Sequence, residues 1–254
     1  MQPVPTLPVV PFVPVFVTGL AAILASFVLD LLWVRVLPFR TLYLAVRAPG
    51  IVLHECSHIL ACLITGAKVQ KVVLFSGEGG SVKYSRPALP VLGDVLISSA
   101  PLFCIPLVLY GLTAVFADFL ACTFPAFAGL PAAVGSPAGF SGLAIAMADL
   151  FWQNLGAAFH PWFLLYLYLA LSLVLSMAPS GQDARNAAVG IALLAVAVLL
   201  VMTTGFPPAI AFLAQFFSII GTCFTLALSF ALLACILSLP PALWYIARRR
   251  AGSI

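Results

Sequence analysis

Six windows of the chain, at residues 13–33, 42–65, 94–116, 162–177, 186–203 and 209–239, are almost wholly apolar and about as long as a bilayer crossing requires. A hydrocarbon core of about 30 Å takes around 20 helical residues at roughly 1.5 Å each. The bilayer interior offers no water to backbone N–H and C=O groups, so such windows must be helices that satisfy their own hydrogen bonds. The reading is an all-α polytopic membrane protein with about six transmembrane helices, forming a single membrane-embedded domain over residues 1–254. Composition agrees, with 64% hydrophobic residues, 7% charged residues and a mean hydropathy of +1.21. Soluble domains carry roughly 25% charged residues. Disorder is excluded by the hydrophobicity, and nucleic-acid binding by the lack of a basic patch among only 11 Lys and Arg. The implied partner is the lipid bilayer. The sixth window exceeds one crossing and carries Pro240 and Pro241, which predicts a kinked helix continuing toward Arg248.

Two connections are long. The first contains KVQKVVLF, the turn residues SGEGG and then SVKYSR, a β-hairpin pattern over residues 67–86. The second, residues 117–161, is rich in Pro, Gly and Ala and reads as a surface segment capping the bundle, with a short helix near residues 143–155. The hairpin bears Lys68, Lys71, Lys83 and Arg86, whereas the second connection has no Lys or Arg. The positive-inside rule therefore predicts a cytoplasmic hairpin and a non-cytoplasmic second connection. An even number of crossings would put both termini in the cytoplasm of a multi-pass cell-membrane protein, in keeping with Arg248, Arg249 and Arg250. Arg35 and Arg40 run against this assignment. The six cysteines lack C-x-x-C pairing and read as small buried hydrophobes. The first sixteen residues lack a signal-peptide pattern and read as part of the mature chain.

The chemistry concentrates in His54-Glu55-Cys56-Ser57-His58, inside the second window. Residues four apart share one helix face, so both imidazoles can reach one cation and Glu55 can address a water beside it. A glutamate and two of only three histidines in one turn of a membrane helix are expensive to place without a purpose. Cys56 and Ser57 read as small helix-facing residues. The pattern is H-E-x-x-H, a zinc motif with Glu55 as general base.

A catalytic zinc takes three protein ligands and keeps one open position. The extended pattern with a third His fails, because Ala61 and Ile64 stand where Gly and His are required. The only other glutamate is Glu78, in the hairpin turn, which leaves Asp30, Asp94, Asp118, Asp149, Asp183 and His160. Asp118, Asp149 and His160 belong to the far connection. Asp183 follows Pro179 and Gly181 where the fourth window gives way to the fifth, at the depth of His58, and is the favoured third ligand. It also reads as a helix N-cap, and Asp94 is the runner-up ligand.

These residues resemble the site-2 protease family of intramembrane zinc metalloproteases. The likeness rests on residues 54–58 in the second window, the hairpin directly after them, Ala100-Pro101 in the third window and the Pro179–Asp183 element after the fourth. The family's usual element is N-x-x-P-x-x-x-L-D-G. Here Ser176 stands for the Asn, Pro179 aligns, and the acid comes one residue early without Leu or Gly, as in a divergent branch. No connection is long enough for an inserted PDZ-like domain. The resemblance implies hydrolysis of membrane-spanning protein substrates near the cytoplasmic face, with zinc held by His54, His58 and Asp183 and Glu55 moving the proton. The hairpin strands would offer an edge to an extended substrate or would plug the site, and a polar cavity between the second, third and fourth windows is expected. An inactive scaffold or transporter is the competing class, opposed by the intact Glu55 and the absence of internal repeats. A CAAX-processing reading lacks its later Glu ligand.

Overall fold

The computed structural model describes residues 12–36, 40–76, 79–120, 136–156, 159 and 161–250. Its elements are α1 (Phe12–Val36), α2 (Arg40–Thr65), β1 (Val69–Ser76), β2 (Gly79–Tyr84), α3 (Pro90–Leu120), α4 (Pro137–Gly156), α5 (Pro161–Leu175), α6 (Gly181–Thr204) and α7 (Pro207–Arg250). The described residues are all-α apart from the two-stranded antiparallel sheet, in which Val72 pairs with Val82 and Val73 with Ser81. Among the described residues, α1, α2, α3, α6 and α7 are long and apolar enough to cross a membrane. The fourth expected crossing is shorter: α5 has 15 residues, about 22 Å of helix, and cannot span a bilayer alone. The helix expected near residues 143–155 is longer than predicted, and buries Leu143, Met147, Phe151 and Asn154. α7 runs through Pro240 and Pro241 to Arg250.

Helix directions follow from contacts along their lengths. α1 and α7 are parallel: the Phe12 ring meets Phe217 edge-on with centroids 5.3 Å apart, and Trp33 Nε1 donates to Ser238 Oγ at 2.9 Å. α2 returns against α1, bringing Arg47 to Asp30. Gly66, at φ 71°, ends α2, and Ala67 N–H donates to the Cys62 carbonyl. This left-handed cap turns the chain into the hairpin. α3 is antiparallel to α2, with Ala88 N–H on the Thr65 carbonyl and His58 against the Ile97 carbonyl.

α5 and α6 then run the same way. Tyr168, Ser172 and Ser176 of α5 and its end meet Ala45, Gly50 and His54 of α2 in matching order, so α5 is parallel to α2. Asn186 meets Ser98 and Gly190 packs on Val95, so α6 is antiparallel to α3 and also parallel to α2. Residues 176–180 are thus a break within one path and not a reversal. Irregular backbone is tolerated at membrane depth where it is buried or lines a cavity.

That break corrects the expected parity. The start of α1 lies at the hairpin end of the bundle, whereas the end of α7, with Arg248, lies beyond the opposite end, the end at which α1 finishes with Arg35. The expectation of both termini on one face counted the fourth and fifth windows as opposite crossings. The basic residues divide between the two ends, so the charge bias does not assign the faces by itself.

The main core gathers Leu29, Ile105, Leu109, Met147, Phe163, Tyr166 and Leu226, all essentially inaccessible, between α1, α3, α4, α5 and α7. Some buried hydroxyls close on backbone carbonyls of their own helix, as Ser57 does on Leu53 and Ser229 on Thr225. α6 instead leaves Leu193, Val196, Leu199 and Leu200 exposed, the surface of a helix solvated by lipid.

Candidate metal centre

Pro49 and Gly50 set the stage one turn before His54. Proline has no N–H to give to the carbonyl four residues back. The orphaned Ala45 carbonyl accepts instead from the Tyr168 hydroxyl of α5 at 2.8 Å, and Gly50 N–H donates to Ser172 Oγ at 2.9 Å. A Cβ at Gly50 would come within 2.7 Å of the Ser172 carbonyl carbon, so glycine permits this approach. The end of α5 is thereby laid against α2. The Ser176 carbonyl lies 2.7 Å from His54 Nδ1.

His58 has a matching partner, with Nδ1 2.8 Å from the Ile97 carbonyl of α3. A carbonyl can only accept, so each Nδ1 carries a proton, which leaves Nε2 as the ring atom that can face a metal. This is the arrangement by which outer partners fix the tautomer of a metal-binding imidazole. The two rings lie 5.0 Å apart, at 71° to each other.

Asp183 reaches the site because α6 begins at the break. Ser180, at φ −63° and ψ 163°, is the N-cap: its Oγ accepts from Asp183 N–H and donates to Asp183 Oδ2 at 2.6 Å. The N-cap role considered for Asp183 therefore falls to Ser180. Asp183 Oδ2 stands 3.7 Å from His58 Nε2, and ligand atoms of His54, His58 and Asp183 all lie within 4.8 Å of one another. Two ligands on one tetrahedral zinc, at bonds of about 2.0–2.1 Å, sit about 3.3 Å apart. Two imidazole nitrogens and one carboxylate are a donor set that could hold a divalent metal ion, with the atoms drawing in from 4.8 Å toward that spacing.

Glu55 is 4% exposed and faces a cavity of about 190 Å³ lined by the three candidate ligands and by Gly80, Val82, Tyr84 and Gln182, among others. The cavity was expected between the second, third and fourth windows. It lies instead between α2, β2 and the start of α6, because the hairpin folds back over the site. Gly80 crosses directly above Glu55: a Cβ there would come within 2.7 Å of the Glu55 carboxyl carbon. Tyr84 hydrogen-bonds with Ser98 and Asp94, and burial together with the Asp94 charge raises its phenol above the ordinary range.

Among the other residues considered, Asp94 is engaged with Tyr84 and is not part of the grouping. Asp30 is paired with Tyr43 and Arg47 toward the opposite end. Asp149 is on α4. Glu78, His160, Cys122 and the Asp118 side chain lie outside the described residues. Cys56 is exposed and Ser57 is turned to the Leu53 carbonyl, so neither joins the cavity. Sequence reasoning missed Gly80, Tyr84 and Gln182 as cavity residues, and the carbonyls of Ser176 and Ile97 as histidine partners. Gly50 before the motif was the one available signal, since a glycine in a helix usually marks a close approach.

The family model described as Peptidase M50B-like matches residues 19–121, which hold the motif, the hairpin and α3. This is consistent with a member of the site-2 protease family, as the sequence resemblance implied. No curated protein and no solved structure matches the chain.

Proposed function

We propose, with the Peptidase M50B-like match as premise, that this chain is an intramembrane zinc metalloendopeptidase that hydrolyses peptide bonds of membrane-spanning protein substrates. The observation that carries the reading is the convergence of His54, His58 and Asp183 beside a buried Glu55. Zinc bound by those three residues would supply Lewis-acid polarisation of the scissile carbonyl and a more acidic water. Glu55 takes the proton from the attacking water and returns it to the leaving amine. Its burial beneath β2 keeps bulk water from competing for the carboxylate, and the Ser176 and Ile97 carbonyls hold the imidazoles in the tautomer that ligation needs.

A helical substrate hides its peptide bonds, so it must be extended locally before attack. The hairpin supports this step, because β2 pairs with β1 on one side and borders the cavity on the other. Cleavage takes place toward the hairpin end of the bundle, taken in this reading as the cytoplasmic face of a cell membrane.

Zinc content of the detergent-purified protein tests the reading. Near-stoichiometric zinc should fall in His54→Ala and Asp183→Ala and persist in Asp94→Ala. Glu55→Gln should keep its zinc and lose proteolysis of a membrane-spanning reporter. A wild-type protein without zinc after supplementation would sink the metalloprotease and bring the scaffold or transporter forward.

A further inference from the structure

α1 and α2 hold a charged cluster that the proposed reaction does not use. Asp30 Oδ1 lies 3.3 Å from Arg47 Nη1 and accepts from the Tyr43 hydroxyl at 2.5 Å, while Arg47 Nη1 donates to Tyr43 Oη at 2.6 Å. Ionisable groups inside membrane helices are rare and costly, and a tie between α1 and α2 could be made with apolar packing. Arg47 does more than pair with Asp30. Its other terminal nitrogen, Nη2, reaches the carbonyl of Leu175, the last residue of α5, at 3.4 Å.

The next carbonyl along the chain, that of Ser176, is the one that holds His54 Nδ1. Arg47 and His54 are seven residues apart, two turns along α2, so one face of α2 grips two successive carbonyls where α5 stops. Carbonyls at a helix C-terminus lack intrahelical donors and attract cations. Residues 176–180, which follow α5 directly, are not helical, so the direction of the Ser176 carbonyl depends on what holds the end of α5.

We propose that Arg47, anchored by Asp30 and Tyr43, is a positioning residue for the metal centre: it fixes the end of α5 so that the Ser176 carbonyl orients His54. The inference rests on His54 being a zinc ligand. It assigns the intramembrane ion pair a role at a distance, with α1 as the post against which the ligand is aligned.

The test compares wild type, Arg47→Lys and Arg47→Met as full-length detergent-purified protein. It reads the zinc dissociation constant by chelator competition and the melting temperature of the metal-free protein. Lysine can keep the pairing with Asp30, but it lacks the second terminal nitrogen with which Arg47 reaches the Leu175 carbonyl. Arg47→Lys should therefore bind zinc about tenfold more weakly, the scale of outer-partner losses at metal sites, with the metal-free melting temperature unchanged. Arg47→Met should lose at least as much affinity. If it does not fold, Arg47→Lys decides alone. Zinc affinity equal to wild type in Arg47→Lys, whatever its melting temperature, overturns the proposal and leaves Arg47 as a tie between helices. A wild type that binds no zinc removes the metal reading itself and this inference with it.

Discussion

Gly80 of β2 sits over Glu55 with no room for a side chain, since a Cβ at that position would come within 2.7 Å of the Glu55 carboxyl carbon. The hairpin backbone is thus a wall of the cavity, touching the residue proposed to move the proton. Gly80→Ala must displace either the strand or the carboxylate, and the nearest atoms it meets are those of Glu55 and not of the candidate ligands His54, His58 and Asp183. Peptidase activity should fall at least tenfold with zinc content retained, because a displaced general base forfeits a contribution of about 10²–10⁴-fold. Activity equal to wild type in a reporter assay would show that β2 does not crowd Glu55.

Gly50→Ala tests the packing that brings Ser176 to His54. Alanine ordinarily stabilises a helix interior by about 1 kcal/mol relative to glycine. Here its methyl group would meet the Ser172 backbone, and the end of α5 must move away. The expected outcome is the opposite sign: a lower melting temperature and a zinc affinity at least tenfold weaker. A stabilised protein with normal zinc binding would mean that α5 does not lean on Gly50.

The Tyr168 hydroxyl stands in for the N–H that Pro49 lacks. Tyr168→Phe leaves the Ala45 carbonyl, on an exposed face of α2, without its donor, a loss of about 0.5–1.5 kcal/mol for one hydrogen bond. Pro49→Ala returns an N–H to α2 and should make the Tyr168→Phe cost smaller. A double-mutant cycle on thermal or denaturant stability reads this coupling, and strict additivity would refute it.

The helical membrane class, the hairpin and the H-E-x-x-H turn were legible because each is a local pattern. Apolar windows of bilayer length, β-prone runs around a Gly-rich turn and imidazoles four residues apart need no knowledge of distant contacts. The grouping of Asp183 with His54 and His58 was reachable by elimination, since the chain has few acids and Pro179 and Gly181 mark a break. Its companion Ser180 was not singled out, although Ser-x-x-Asp before an apolar run is itself a cap signal. The histidine partners were illegible for a different reason: the Ser176 and Ile97 carbonyls are backbone groups, and any residue could supply them. The direction of α6 was also hidden. Hydropathy counts windows and assumes that each reverses the last, whereas α5 and α6 share one path on either side of the break at 176–180.

That path has a consequence for topology. With α6 parallel to α2, the described helices pass between the two ends of the bundle five times: α1, α2, α3, α5 with α6, and α7. Lys83 in the hairpin and Arg248 near the end of α7 then face opposite sides of the membrane. Single cysteines at these two positions, in a background with the native cysteines replaced, should react with a membrane-impermeant thiol reagent from opposite sides of sealed vesicles. Labelling of both from one side would require α5 and α6 to reverse direction, against the matched contacts of Ser172 with Gly50 and of Asn186 with Ser98. Labelling from opposite sides would also decide which basic cluster obeys the positive-inside rule, because the hairpin lysines and the Arg35–Arg248 end cannot both be cytoplasmic.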